Sequence, residues 1–272
     1  MYRERDTLST YLLKMDARQL LAVTGWYLLD LAIYIAAWAA IMTTLGGRVG
    51  WAHHARIFCI ANAAKRLPGT LWYVGGRAAL YDRLDIPARV VVLASAFEGA
   101  LIWLSGLAIS VPILVVALPN RRWIWLGLGI LLLVGLLNPK TLRWILRRAA
   151  KNDVSRSTAL LPVYGWLLLY MVGWGVGGVL LAAVVAIFET PPIKQLPYVV
   201  GTWTVAGTAS MLVTFLPSNF GVTEVTLIAL LSKVIPAGVA VLVAVSVRLL
   251  TTLLDVLLGG LVYLAGVICK AK

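Results

Sequence analysis

A small set of charged and polar side chains lies within or beside long apolar stretches: Lys65, Arg66, Arg77 and Glu98 in one half of the chain, and Asn219, Glu224, Arg248 and Asp255 in the other. An ionisable group near the middle of a bilayer costs at least about 3 kcal/mol unless it is paired or hydrated. Such residues mark either internal clasps or the path of a polar group, and the sequence alone leaves both open. Arg77 is expected to pair with Glu98, and Glu224 with Arg248, so that the two arrangements repeat with opposite polarity. Asp255 follows Arg248 by seven residues, shares its helical face and is expected to join the second set. A guanidinium offers phosphate two parallel hydrogen bonds, which makes Arg77 and Arg248 the expected headgroup contacts, with the carboxylates positioning them. Glu98, Glu224 and Asp255 are the candidates for carrying a proton.

The elements that must hold these groups are marked by prolines. Pro68 and Pro87 stand nineteen residues apart, as do Pro217 and Pro236, and the second pair follows the first by 149 residues. Pro68-Gly69 and Pro217 with Gly221 are the expected helix breaks, where peptide groups leave the helical ladder and must find other partners inside a membrane. Matching breaks in two hydrophobic halves indicate a binding or passage site between them. The halves are expected to be structural repeats over 21–138 and 158–269, joined by a basic amphipathic connector over 139–157. Within each, the stretch between the prolines (72–83 and 222–233) is too short to cross a membrane and is expected to be a re-entrant helical hairpin with the segment before it (53–66 and 202–215).

The whole chain is expected to be one all-α polytopic transmembrane domain of about 6–8 membrane helices. Its 272 residues are 61% hydrophobic and only 13% charged, with a mean hydropathy of +0.91, far from the soluble range. Expected spans cover 21–45, 88–118, 122–138, 158–188, 196–216 and 238–269, with Pro112 marking a bend. The formal net charge of +13 concentrates basic residues at membrane surfaces and favours anionic lipid over nucleic acid. The charged stretch 1–19 lacks the pattern of a cleaved signal peptide. Two cysteines and an adjacent His53-His54 pair give neither a disulfide framework nor a metal site, and no cofactor is expected. Gly173, Gly177 and Gly178 predict close helix packing. Trp26, Trp51, Trp123, Trp125 and Trp166 read as interfacial anchors. Thr202, Thr204, Thr208, Ser210 and Thr214 either line a hydrated cavity or bond back to their own helix. Asp30 is a charge in the first span without an assigned partner.

Leu67-Pro68-Gly69 with Gly76-Arg77 and Glu98, followed by Pro217-x-x-x-Gly221-Val222-x-Glu224 and Arg248, resembles the membrane domain of lysylphosphatidylglycerol synthetases and its stand-alone flippase-like relatives. The resemblance covers about 21–269. Relatives have Pro-Gly-Gly-Leu-Gly-Val-Arg-Glu at the second motif; this chain has Pro217-Ser218-Asn219-Phe220-Gly221-Val222-Thr223-Glu224, losing two glycines and a cation. The resemblance implies movement of a lipid between leaflets by a member without the soluble synthetase domain, and no aminoacyl transfer. The expected function is a flippase or transporter-like protein for an anionic phospholipid or polyprenyl-phosphate lipid, rather than an enzyme, in a prokaryotic cell membrane. An intramembrane enzyme on a lipid-linked substrate, or an accessory subunit bound to a lipid or glycan synthase or transferase, remains open.

Overall fold

The computed structural model of the chain describes residues 16–65, 72–117, 124, 127–129, 160–212 and 221–268. Helix accounts for 88% of them and none is in a strand. In chain order the longer helices are α1 (Ala17–Thr44), α2 (Trp51–Ala64), α3 (Trp72–Asp82), α4 (Ala88–Ala117), α5 (Leu160–Phe188), α6 (Leu196–Leu212), α7 (Val222–Leu231) and α8 (Ala237–Ile268). The connector 139–157 and the expected span 122–138, apart from Ile124 and residues 127–129, lie outside the described residues.

Local chemistry accounts for most of the boundaries. Asp16 opens α1: its carboxylate accepts from the Arg18 N–H at 3.3 Å, while Gln19 accepts from the Asp16 N–H at 3.3 Å, so two of the helix's unpaired donors are satisfied reciprocally. Gly46, at a φ of 100°, turns the chain out of α1. Pro87 and Pro236 stand immediately before α4 and α8, and the carbonyl of each accepts from the third or fourth residue following, Val90 at 2.9 Å and Ala240 at 3.0 Å. Proline has no N–H to lose there. The Pro191-Pro192 pair stops α5, after which a 3₁₀ turn (Ile193–Gln195) leads into α6. Pro112 lies inside α4, which continues past it to Ala117.

Among the described residues, four helices are long and apolar enough to cross a membrane, over Ala17–Thr44, Ala88–Val115, Val163–Phe188 and Ala237–Gly266. By length and composition the chain is a membrane-embedded helical protein. Of the expected span at 196–216, residues Leu196–Leu212 form a helix, and 213–216 lie outside the described residues. The described inter-proline helices are shorter still, 11 residues in α3 and 10 in α7.

Three of the most extensive helix pairings join elements distant in sequence. Helix α1 lies against α5, α2 against α8, and α6 against α4. Within the N-terminal helices α2 packs on α3 and α3 on α4; within the C-terminal ones α6 packs on α7 and α7 on α8. One buried cluster gathers Trp38, Phe58, Tyr81, Phe97 and Tyr170; another gathers Leu181, Val185, Leu227, Leu231 and Val243. Gly173, Gly177 and Gly178 of α5 serve close packing within the molecule. A methyl group at Gly173 would sit 2.9 Å from the Tyr34 ring on α1, and one at Gly178 would collide with the Val200 backbone on α6. Trp26 and Trp51 are exposed, but Trp166 is 5% exposed and belongs to the core rather than to an interfacial belt.

Candidate functional site

Two ion pairs tie the short helices to the long helices that follow them. Arg77 on α3 donates through both terminal nitrogens to Glu98 on α4, with Nη1 to Oε2 the closer bond and Nη2 to Oε1 at 3.4 Å. Arg248 on α8 donates through Nη1 to Glu224 Oε1 on α7. Both pairings expected from the sequence are therefore present, and their surroundings differ sharply.

The Arg77 pair is sealed. The side chain of Arg77 is 0% exposed and that of Glu98 3%. The guanidinium carbon lies 3.9 Å from the centroid of Trp38, 4.8 Å from Phe58 and 5.3 Å from Tyr73, which supplies cation–π attraction in a desolvated place. Lys65, exposed just after α2, covers the same rings from another side, 5.7 Å from Phe58 and 5.2 Å from Tyr73. Beneath the guanidinium, the Trp38 indole N–H donates to the Tyr81 hydroxyl at 2.9 Å, and that hydroxyl lies 2.6 Å from His54 Nδ1. An indole N–H can only donate. Tyr81 therefore accepts from Trp38, and its hydroxyl is also hydrogen-bonded to His54 Nδ1. Arg77 Nε, Ser95 Oγ and Tyr170 Oη are buried without a hydrogen-bond partner among the described residues.

The Glu224 pair is accessible. The side chain of Arg248 is 30% exposed and that of Glu224 18%. Gly221 holds a left-handed φ of 98° at the start of α7, and its N–H donates to Glu224 Oε2 at 3.0 Å. Glu224 thus caps its own helix with one oxygen and meets Arg248 with the other. A carboxylate in the first helical turn also matches the positive end of the helix dipole.

Asp255 stands seven residues beyond Arg248 on α8, two turns or about 10.5 Å along the helix axis. It is buried at 4% exposure, where its Oδ1 accepts from the Tyr27 hydroxyl on α1 and the Asn62 amide on α2. Asn62 stands near Arg77 in sequence but belongs to this third group. Asp30 lies one turn beyond Tyr27 on α1, and its buried Oδ1 has no hydrogen-bond partner among the described residues. Arg66, Pro68, Gly69, Pro217 and Asn219 lie outside the described residues.

In the polar run on α6, Thr202 and Ser210 bond back to their own helix. Thr202 Oγ1 donates to the Tyr198 carbonyl at 2.9 Å and Ser210 Oγ to Gly207 at 2.7 Å. Thr208 instead faces Ser110 on α4 at 3.4 Å. Sequence reasoning missed the aromatic cage. Tyr73, Arg77 and Tyr81 recur every four residues on one face of α3, a spacing that could have shown part of it. Trp38 arrives from α1 with no such signal. The described residues hold no group of three or more His, Cys, Asp or Glu side chains placed to bind a metal ion.

A polytopic helical membrane protein with two interhelical ion pairs, one enclosed and one open, is the class that fold and site define. No protein-family model matches the chain, and no curated protein compared with it does so either.

Proposed function

We propose that the chain moves lipids bearing an anionic or lipid-linked headgroup between leaflets, with Arg248 as the group that meets the headgroup. One observation carries this: Arg248 stands part-exposed in a helix long and apolar enough to cross a membrane, paired with a carboxylate at the head of a helix too short to do so. Ionisable groups held within membrane-spanning helices are costly, and such pairs commonly mark the path of a polar group. Helices α3 and α7 fit re-entrant segments, about 17 Å and 15 Å long.

The helix contacts support a two-repeat organisation. Exchanging α1 with α5, α2 with α6, α3 with α7 and α4 with α8 carries the pairing of α2 on α8 into that of α6 on α4, and α3 on α4 into α7 on α8. The α1 and α5 contact maps onto itself. Such pairing is expected of repeats related by a pseudo-twofold axis, with a site between them. The motif resemblance to the membrane domain of lysylphosphatidylglycerol synthetases agrees with a lipid substrate.

The test is lipid movement in proteoliposomes, using phosphatidylglycerol with a fluorescent acyl chain and a quencher added outside. Wild-type protein should expose most of the inner-leaflet probe within the assay, and Arg248→Ala should slow this about tenfold or more while retaining its detergent melting curve. A wild-type rate no faster than that of protein-free liposomes would remove the proposal.

A further inference from the structure

We propose that Glu224 is a resident anion at a phosphate-binding position centred on Arg248, and that a phosphate oxyanion takes its place there. This deepens the function proposed above, and rests on it, by naming the chemical group recognised and the counter-ion that regulates access to it.

The contrast between the two pairs carries the inference. Glu98 cannot yield its place: its partner is fully enclosed and stacked on three aromatic rings, so separation would strand a charge in the core. Glu224 can yield. Both members of its pair reach the surface, and its second oxygen stays anchored by the Gly221 N–H when the first is released. A carboxylate and a phosphate present similar pairs of oxygens to a guanidinium, so one substitutes for the other without rebuilding the site. The start of the ten-residue α7 adds a second attraction, because its leading peptide N–H groups and dipole favour an anion at the same end of the helix where Glu224 now sits. Displacement is an exchange of anions on Arg248 and requires no covalent step.

Lipid headgroups and free phosphate share this chemistry. The experiment uses the full chain in phosphatidylcholine nanodiscs doped with phosphatidic acid, with lipid retention read by native mass spectrometry. Glu224→Gln keeps an acceptor for the Gly221 N–H but removes the competing charge. It should retain about fivefold more phosphatidic acid than wild type, the scale of a partly exposed ion pair. Arg248→Gln should lose the specific retention, and the double variant should match it. Displacement of phosphatidic acid by inorganic phosphate supports an oxyanion position open to both sources; retention that phosphate cannot displace supports the lipid headgroup as the ligand. Glu224→Gln retention equal to or below wild type, in folded protein, overturns the inference. Should that variant misfold, Glu224→Asp, whose shorter side chain cannot serve Gly221 and Arg248 together, must raise retention instead. Raised retention without lipid movement in liposomes would keep this role for Glu224 and remove translocation. Movement that needs Arg248, with Glu224→Gln no tighter than wild type, would do the reverse.

Discussion

Arg77 and Glu98 form an ion pair almost fully shut away from solvent. With both carboxylate oxygens engaged, the pair locks α3 to α4 inside an aromatic shell. Arg77→Met should destabilise the protein by about 3–5 kcal/mol, because Glu98 would be left buried and uncompensated. Arg77→Met with Glu98→Leu should recover most of that loss, since a well-packed apolar pair replaces a buried ion pair at little cost. Thermal unfolding in detergent separates the cases: a double variant no more stable than the single one would mean that the charges do more than neutralise each other. Tyr27→Phe tests the third group. It removes the hydroxyl that donates to buried Asp255 and should cost about 1–3 kcal/mol in the same assay.

At the level of elements, the helix-to-helix spacing depends on α5. Gly178→Ala would push a methyl group against the Val200 carbonyl and separate α5 from α6, with an expected loss of about 1–3 kcal/mol. Gly175→Ala, on the same helix with open space around it, should be neutral or stabilising by up to about 1 kcal/mol. Equal melting temperatures for the two variants would contradict the close approach. These elements were largely legible in the sequence, because long apolar runs and proline punctuation are local signals. Pro87 and Pro236 stand directly before α4 and α8, whose starts the expected spans 88–118 and 238–269 placed within one residue. The Arg77 and Glu98 pairing was legible because Glu98, well inside the following apolar span, needs a cation, and Arg77 on the short helix before it is one. What was not legible depends on interhelical register: Asn62 and Tyr27 meet at Asp255 from three different helices. Asp255 was expected beside Arg248 from its place on α8, and nothing in the sequence pointed to Tyr27 and Asn62 as its hydrogen-bond donors.

For the whole molecule, the two ends of the chain are interlocked rather than set side by side. Helix α2 finds its main long-range partner in α8, and α6 finds its own in α4. During synthesis, α2 is therefore complete long before the surface that covers it exists. At about 5–20 residues per second, the roughly two hundred residues separating α2 from the end of α8 take about 10–40 s to appear. Throughout that interval Asn62 has no Asp255 to bond. The nascent chain must hold its early polar groups in the membrane or the insertion machinery until the last helix arrives, so truncation within α8 should trigger degradation of the entire protein rather than leave a stable N-terminal half.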